Sequence, residues 1–315
     1  RRAQPPRYTA DMGQHSDNAP GNHSPVTDAD APRPIASDWL SLRRPADEAA
    51  RQASLPLLTE LQAFLAPGTA PTNAEVNDAD DQAVRIFDLG AGTGANQAWL
   101  APHLHMPQHW TLIDHDPDLL ELTMGAPAID GVIGTEAVVA GIEDLGEILD
   151  ADPQASRQRF VTCSALLDLL TPDQLETLCT ALVESQTAAL FSLSVTGTMT
   201  IEPADPLDAA LNDAFNQHQN RGGRAGARGV DLTEQFLTKA GFTVTTVDTP
   251  WELTGDHSEL ITRFLNDRAD AVLEEEPGLA GDVSQWLERR SEQAADGTLQ
   301  LTIGHRDLLA LPPRP

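Results

Sequence analysis

Residues 84–96 place an acid and three glycines where a strand turns into a helix. Val84, Ile86, Phe87 and Leu89 form a buried strand, and Gly90, Gly92 and Gly94 follow at alternate positions. A helix begins at about Ala95. A strand, a glycine loop and a helix N-terminus together make a seat for a polar ligand, because glycines let a ligand approach the main chain closely. With Ala95, the glycines satisfy the loose dinucleotide pattern G-x-G-x-x-A. Asp88, two residues before the first glycine, stands where dinucleotide sites usually carry an apolar residue. A second strand, 109–114, ends in Asp114, followed by His115, Asp116 and Pro117. An acid at that strand tip can accept hydrogen bonds from both hydroxyls of a ribose.

These two segments, D-x-G-x-G-x-G at Asp88 to Gly94 and Ile-Asp-x-Asp-Pro-x-x-Leu from Ile113, resemble the class I S-adenosylmethionine (SAM) methyltransferases. The resemblance covers about Trp39 to Leu311 and is nearest to a group of bacterial small-molecule enzymes. It implies SAM as cofactor, with Asp88 facing its methionine end and Asp114 its ribose. Gly90, Ala91, Gly92, Gly94 and His115 then line the cofactor, and Ser164, at the end of the fourth strand, flanks its amino group. The family's adenine-contacting acid follows the third strand. Ile142 holds that place here, which displaces the acid to Glu143 or Asp144. No Asn/Asp-Pro-Pro-aromatic motif follows the fourth strand, which disfavours amino methylation of adenine or glutamine. No Pro-Cys pair marks Cys163 as a nucleophile. Ser192 to Thr196, after the fifth strand, offers no acid, so no metal is expected. A general base is needed only for a protonated acceptor. Asp168 and His218 are the candidates, with His305 behind them. Arg43 is a candidate for the cofactor carboxylate. Two other readings remain: an NAD(P)-dependent oxidoreductase, allowed by Gly90, Gly92, Ala95 and Asp114, and a SAM-binding protein without catalysis.

Composition narrows the partners. Twenty basic residues against 48 acidic ones give a net charge of −28, and Lys239 is the only lysine. Such a field repels nucleic acid and anionic membranes. A small-molecule substrate is therefore expected, with no nucleic-acid or membrane partner, and a monomer or homodimer in the cytoplasm. The start of the sequence has no apolar core segment and does not read as a secretory signal. Cys163 and Cys179 are too few for a disulfide framework and should be reduced and buried.

The elements that must position these residues follow in order. Residues 1–37 read as a disordered or draped tail before one methyltransferase domain over 38–315. Pro45 suits a first helical position, and Pro56 splits the helix carrying Leu57, Leu61 and Leu65. The acidic stretch 71–81 is a surface loop. Strands are expected at 136–142, 159–164, 188–195 and 242–247, with a last strand through Leu299, Leu301 and Ile303. Alternating strands and helices predict a Rossmann-like α/β fold: a doubly wound, seven-stranded, mostly parallel sheet with its last strand antiparallel and helices on both faces. Residues 196–229 form an insertion over the acceptor. In it, Leu207, Leu211 and Phe215 give a helix at 207–219 an apolar face, with His218 on the same side. Asn212, Asn216 and Gln219 add a polar stripe, so Asn216, His218 and Gln219 are the candidate substrate contacts. Arg221, Arg224 and Arg228 form a basic loop open to an anion.

Overall fold

The computed structural model describes residues 37–66, 83–152 and 158–314; the tail before Ser37 and the acidic loop at 71–81 lie outside them. The sheet is built from β1 (Val84–Leu89), β2 (Gln108–Asp114), β3 (Val132–Val139), β4 (Arg159–Ser164), β5 (Ala188–Glu202), β6 (Thr243–Asp248), β7 (Trp251–Leu253) and β8 (Gln300–Leu311). Its order is β3-β2-β1-β4-β5-β8-β6, with β7 also paired to β8. β1 to β5 run parallel, while β8 is antiparallel to β5, β6 and β7. The expected Rossmann-like sheet with an antiparallel last strand is present, with β8 inserted between β5 and β6 and with eight strands instead of seven.

The helices are α1 (Ser37–Arg51), α2 (Leu55–Leu65), α3 (Ala95–Leu100), α4 (Pro117–Met124), α5 (Leu145–Ala151), α6 (Pro172–Ser185), α7 (Asp208–Gln219), α8 (Gly229–Lys239), α9 (Ser258–Glu275) and α10 (Ala280–Ala295). Successive strand residues face opposite layers. Phe87, Ile113 and Val161 pack with α5, α6 and α8. Ile86, Leu112 and Phe160 pack with α2 and α3 on the other face. A third core joins α1, α7, α9 and α10 to β7 and to the far parts of β5 and β8. Cys163 and Cys179 are buried free thiols in the first core.

Several boundaries differ from the sequence reading. Pro45 lies inside α1, which starts at Ser37 and not at Pro45. β3 begins at Val132 and stops at Val139, since Val132 already pairs with Gln108. β5 does not end at Val195. It continues to Glu202, where Met199 and Ile201 pair with Ile303 and Leu301. Threonines alternate with these apolar residues, and β-branched side chains suit a pleated, half-buried surface. The first part of the expected insertion is therefore sheet.

Candidate functional site

The glycine loop leaves the C-terminal end of β1 with Gly90, Gly92 and Gly94 at φ of +60°, +52° and +74°. Gly94 caps α3, and a Cβ there would come within 2.5 Å of Thr123 Cγ2. Thr123 fixes the loop from below by donating to the carbonyl of Gly92 at 2.8 Å. A Cβ at Gly92 would meet only the Gly90 carbonyl oxygen, at 3.8 Å, so this face of the loop is open. Leu166 covers Gly90, with Cδ1 3.2 Å from a Cβ built there. Ala91 is buried and donates its N–H to the Ile113 carbonyl at 3.1 Å.

Asp114, at the tip of β2, holds this loop. Its Oδ2 accepts from the Gly92 N–H at 2.8 Å, and its Oδ1 accepts from the Asp116 N–H at 3.0 Å. His115 stands beside it with its side chain 91% exposed and Nδ1 3.2 Å from Asp114 Oδ1. After β3, the two acids take different positions. Asp144 accepts the Gly141 N–H at 3.0 Å, which caps a short 3-10 turn. Glu143 is exposed, and its carboxylate folds against Gly141, 2.5 Å from a Cβ built there.

Beneath the loop, Asp88 is fully buried. Its Oδ1 accepts from Asn96 Nδ2 at 2.6 Å, and Asn96 Oδ1 accepts from Arg51 Nη2 at 2.8 Å. Arg51 also lies 3.4 Å from Ser192 Oγ and 3.9 Å over the Trp99 ring. Among the described residues, Asp88 Oδ2 has no hydrogen-bond partner. Burial pushes the Asp88 carboxyl up to about 7, against the Asn96 hydrogen bond and the Arg51 cation. A second cation near Oδ2 would restore its charge. Asn96 and Arg51 were not singled out by the sequence reading. The signal available was the four-residue spacing of Arg43, Asp47 and Arg51, a charged stripe along an otherwise packing helix.

Further along the sheet edge, Ser164 ends β4 half-buried, and Ala165 turns at φ +53° while donating to the Ser192 carbonyl at 2.9 Å. A 3-10 turn at Leu167–Leu169 then buries Asp168. Asp168 Oδ1 has no hydrogen-bond partner among the described residues. Burial raises its pKa, opposed first by a hydrogen bond from its own backbone N–H and then by the Arg43 and Arg224 cations. Arg43 is held by Asp47 at 2.8 Å and 3.2 Å and lies 5.3 Å over the Trp251 ring. His305 packs on the same Trp251, ring centroids 5.0 Å apart. Its Nδ1 donates to the Ile303 carbonyl at 3.1 Å in the tautomer that leaves Nε2 as an acceptor. The bulge in β5 that opens this region is pinned by Asp307, buried on β8. It accepts from the Leu193 N–H at 2.7 Å, Ser54 Oγ at 2.6 Å and Thr249 Oγ1 at 2.9 Å.

The residues expected to touch an acceptor from α7 are placed differently. His218 turns to α9, with Nε2 3.1 Å from Glu274 Oε2, because α7 and α9 pack side by side. Asn216 and Asn212 both donate to the Gly197 carbonyl, at 2.9 Å and 3.0 Å, and so fasten α7 to β5. Gln219 lies against Gly226, its Cβ 3.6 Å from a Cβ built there. None of Asn216, His218 and Gln219 hydrogen-bonds Asp168, Asp88 or Asp114. Of the basic loop, Arg221 pairs with Glu275 at 2.7 Å, Arg228 is exposed, and Arg224 donates Nε to the Arg221 carbonyl at 2.9 Å.

Among the described residues, no group of three or more His, Cys, Asp or Glu side chains could hold a metal ion, and no helix is long and apolar enough to cross a membrane. No family model matches the chain, and no curated protein matches it in sequence. Solved structures do. The cyclopropane-fatty-acyl-phospholipid synthase-like protein from Lactobacillus casei superposes with a TM-score of 0.51 at 16% identity, covering 88% of this chain and 94% of that one. A cyclopropane synthase from Mycobacterium tuberculosis covers the same shares at 12% identity, with a TM-score of 0.43. The first likeness agrees with the strand order in giving this chain a Rossmann-like α/β fold.

Proposed function

We propose that this chain is a SAM-dependent methyltransferase that acts on a small-molecule acceptor without a metal. The observation that carries the reading is the glycine loop clamped by Asp114 beside the open face of Gly92, in the crevice beyond the strand ends. The residues present fit the cofactor. Gly92 leaves its main chain approachable, and Asp114 keeps lone pairs for two ribose hydroxyls. Glu143 is free for an adenine amino group while Asp144 is committed to its cap. His115 flanks the adenine, and Ser164 the methionine end. Asp88, with an orphaned oxygen, offers a buried negative charge to a cationic ligand. SAM, when bound, supplies an electrophilic methyl group on a sulfonium. The dinucleotide reading is disfavoured by the antiparallel β8 next to β5, since dinucleotide folds continue the sheet in parallel.

Asp168 is the acceptor-side group in this proposal. It follows β4 at the sheet edge where the methyl group would lie. A carboxylate raised by burial is a better proton acceptor near neutral pH than a free one. His218 is assigned to holding α7 on α9 and not to proton transfer. A protein that only binds SAM would have no use for a buried carboxylate oxygen left without a partner here, as Asp168 Oδ1 is. The test is a mass-spectrometric assay for S-adenosylhomocysteine and methylated product over a panel of small amines, phenols, thiols and acids. Asp168→Asn should lower turnover of the best acceptor by about 10²- to 10⁴-fold while SAM affinity stays within about twofold. Turnover unchanged in Asp168→Asn, or no acceptor methylated by a SAM-binding protein, contradicts the assignment.

A further inference from the structure

Asp88 and Asn96 bracket the glycine loop, two residues before Gly90 and two after Gly94. The bond from Asn96 Nδ2 to Asp88 Oδ1, at 2.6 Å, closes the loop at its base. Asn96 Nδ2 also reaches Thr162 Oγ1 at 3.2 Å, and Thr162 is the register neighbour of Asp88 on β4. The orientation of this amide is fixed by its neighbours. A carboxylate only accepts and a guanidinium only donates, so Asn96 must turn Nδ2 to Asp88 and Oδ1 to Arg51, 2.8 Å away. Arg51 Cζ stands 3.9 Å over the ring of Trp99, which lies three residues beyond Asn96 on the same side of α3. A relay of cation, amide and carboxylate therefore runs from the end of α1 to the base of the loop.

Stability alone gives little reason for this arrangement. The layer around it is apolar, with Ile86, Leu100 and Phe160 fully buried. Replacing buried charges by packed apolar side chains is often neutral or stabilising. A network that served only the fold would gain most by pairing its charges directly. Here Asn96 stands between them. Arg51 bonds Asn96 and Ser192 and no carboxylate among the described residues. Asp88 Oδ2 is left without a partner in a fully buried side chain. Burial pushes the Asp88 carboxyl toward its neutral form, and the Asn96 bond and then the Arg51 cation oppose that. The relay thus supports a carboxylate with one oxygen engaged and the other free, at the two ends of the loop that would carry the cofactor.

We propose that Arg51 and Asn96 are positioning residues for the cofactor: through Asp88 they fix the glycine loop and set a negative charge beneath the methionine end. The identity of the cofactor rests on the methyltransferase reading. S-adenosylhomocysteine and 5′-methylthioadenosine share the adenosine and differ in the amino-acid end, so the ratio of their affinities isolates that end. In calorimetric titrations of the full chain, S-adenosylhomocysteine should bind the more tightly. Arg51→Met, which fills similar space without charge, should weaken S-adenosylhomocysteine by about tenfold or more and 5′-methylthioadenosine by no more than about threefold. Asp88→Asn should do the same. The double variant should bind S-adenosylhomocysteine no more weakly than the weaker single one, because both residues act through one relay. Ser54→Ala removes the hydroxyl that ties the chain just after Arg51 to Asp307 on β8. It should lower the melting temperature and leave the affinity ratio unchanged. Asn96→Leu breaks the relay at its middle and should lower the ratio as Arg51→Met does; it decides the matter if Arg51→Met does not fold. No preference for S-adenosylhomocysteine in the unmodified protein would overturn the inference. So would an unchanged ratio in Arg51→Met, additive losses in the double variant, or an equal fall of the ratio in Ser54→Ala. Each of these leaves the methyltransferase reading standing. Binding of neither nucleoside by the unmodified protein would overturn both.

Discussion

His305 lost its proton to burial. Its pKa falls to about 4, first through desolvation and then through the Arg43 cation, against the bond to the Ile303 carbonyl. An unfolded imidazole binds its proton near about pH 6.5. Between about 6.5 and 4 the unfolded state holds more protons, so this group's stabilisation is full above about 6.5 and is lost as pH falls to about 4. The size is roughly 3 kcal/mol for this shift. Asp88 has the opposite sign. Its pKa rises to about 7, so its contribution is full below about 4 and is lost as pH rises through that range to about 7. Comparing His305→Gln with the unmodified protein cancels the Asp88 part. Urea-unfolding free energies should fall less in the variant between about pH 7 and pH 5. Equal falls in both proteins would count against a neutral buried His305. Asp88, Gly92 and Asp114 were readable from the sequence because the loop that joins them is local. Arg51 and Asp307 were not, because their partners Ser192 and Ser54 lie 141 and 253 positions away.

At the scale of elements, the helices over β5 and β8 form a fastened layer. Arg290 on α10, 1% exposed, donates Nη2 to both carboxylate oxygens of Asp208 at 2.6 Å and Nη1 to the Pro203 carbonyl at 2.6 Å. Trp286 Nε1 donates to the same Asp208 at 2.8 Å. This ties the start of α7 to α10, whereas His218 ties its end to α9 through a pair whose side chains are 20% and 37% exposed. Removing one partner of a buried ion pair costs about 3–5 kcal/mol, and a solvent-screened pair contributes about 0–1 kcal/mol. Arg290→Ala should therefore lower the unfolding free energy several-fold more than His218→Ala, as read by urea denaturation. Comparable losses would mean that the layer is not fastened where the hydrogen bonds place it. The helix at 207–219 was legible from its four-residue apolar spacing, and α7 occupies Asp208–Gln219. Its polar stripe was not legible as a set of braces, since Gly197, to which Asn212 and Asn216 donate, sits in a stretch of β5 that reads as loop. Threonines and a glycine between apolar residues give a weak strand signal, and only the pairing with β8 settles the extension.

For the whole molecule, the net charge of −28 makes self-repulsion a global term. Salt screens exposed charges within a Debye length of about 10 Å at 0.1 M and about 3 Å at 1 M. The melting temperature should rise from low to about molar chloride, and a flat or falling series would refute that. The sheet's class was legible from alternating strands and helices and from the alternation of its last strand. The extra strand β7 was not, because three residues, Trp251 to Leu253, carry too short a pattern. Both the fold and the site lead to one claim, that the crevice at Gly92 and Asp114, above the buried Asp88, takes SAM. Calorimetric titration of the full chain with SAM and with NAD tests it most directly, alongside Asp114→Ala. Each charge-assisted bond lost is worth roughly 1.5–3 kcal/mol. SAM should bind more tightly than NAD, and the variant should weaken SAM binding by about tenfold or more. Tighter binding of NAD, or SAM affinity unchanged in Asp114→Ala, would contradict the account.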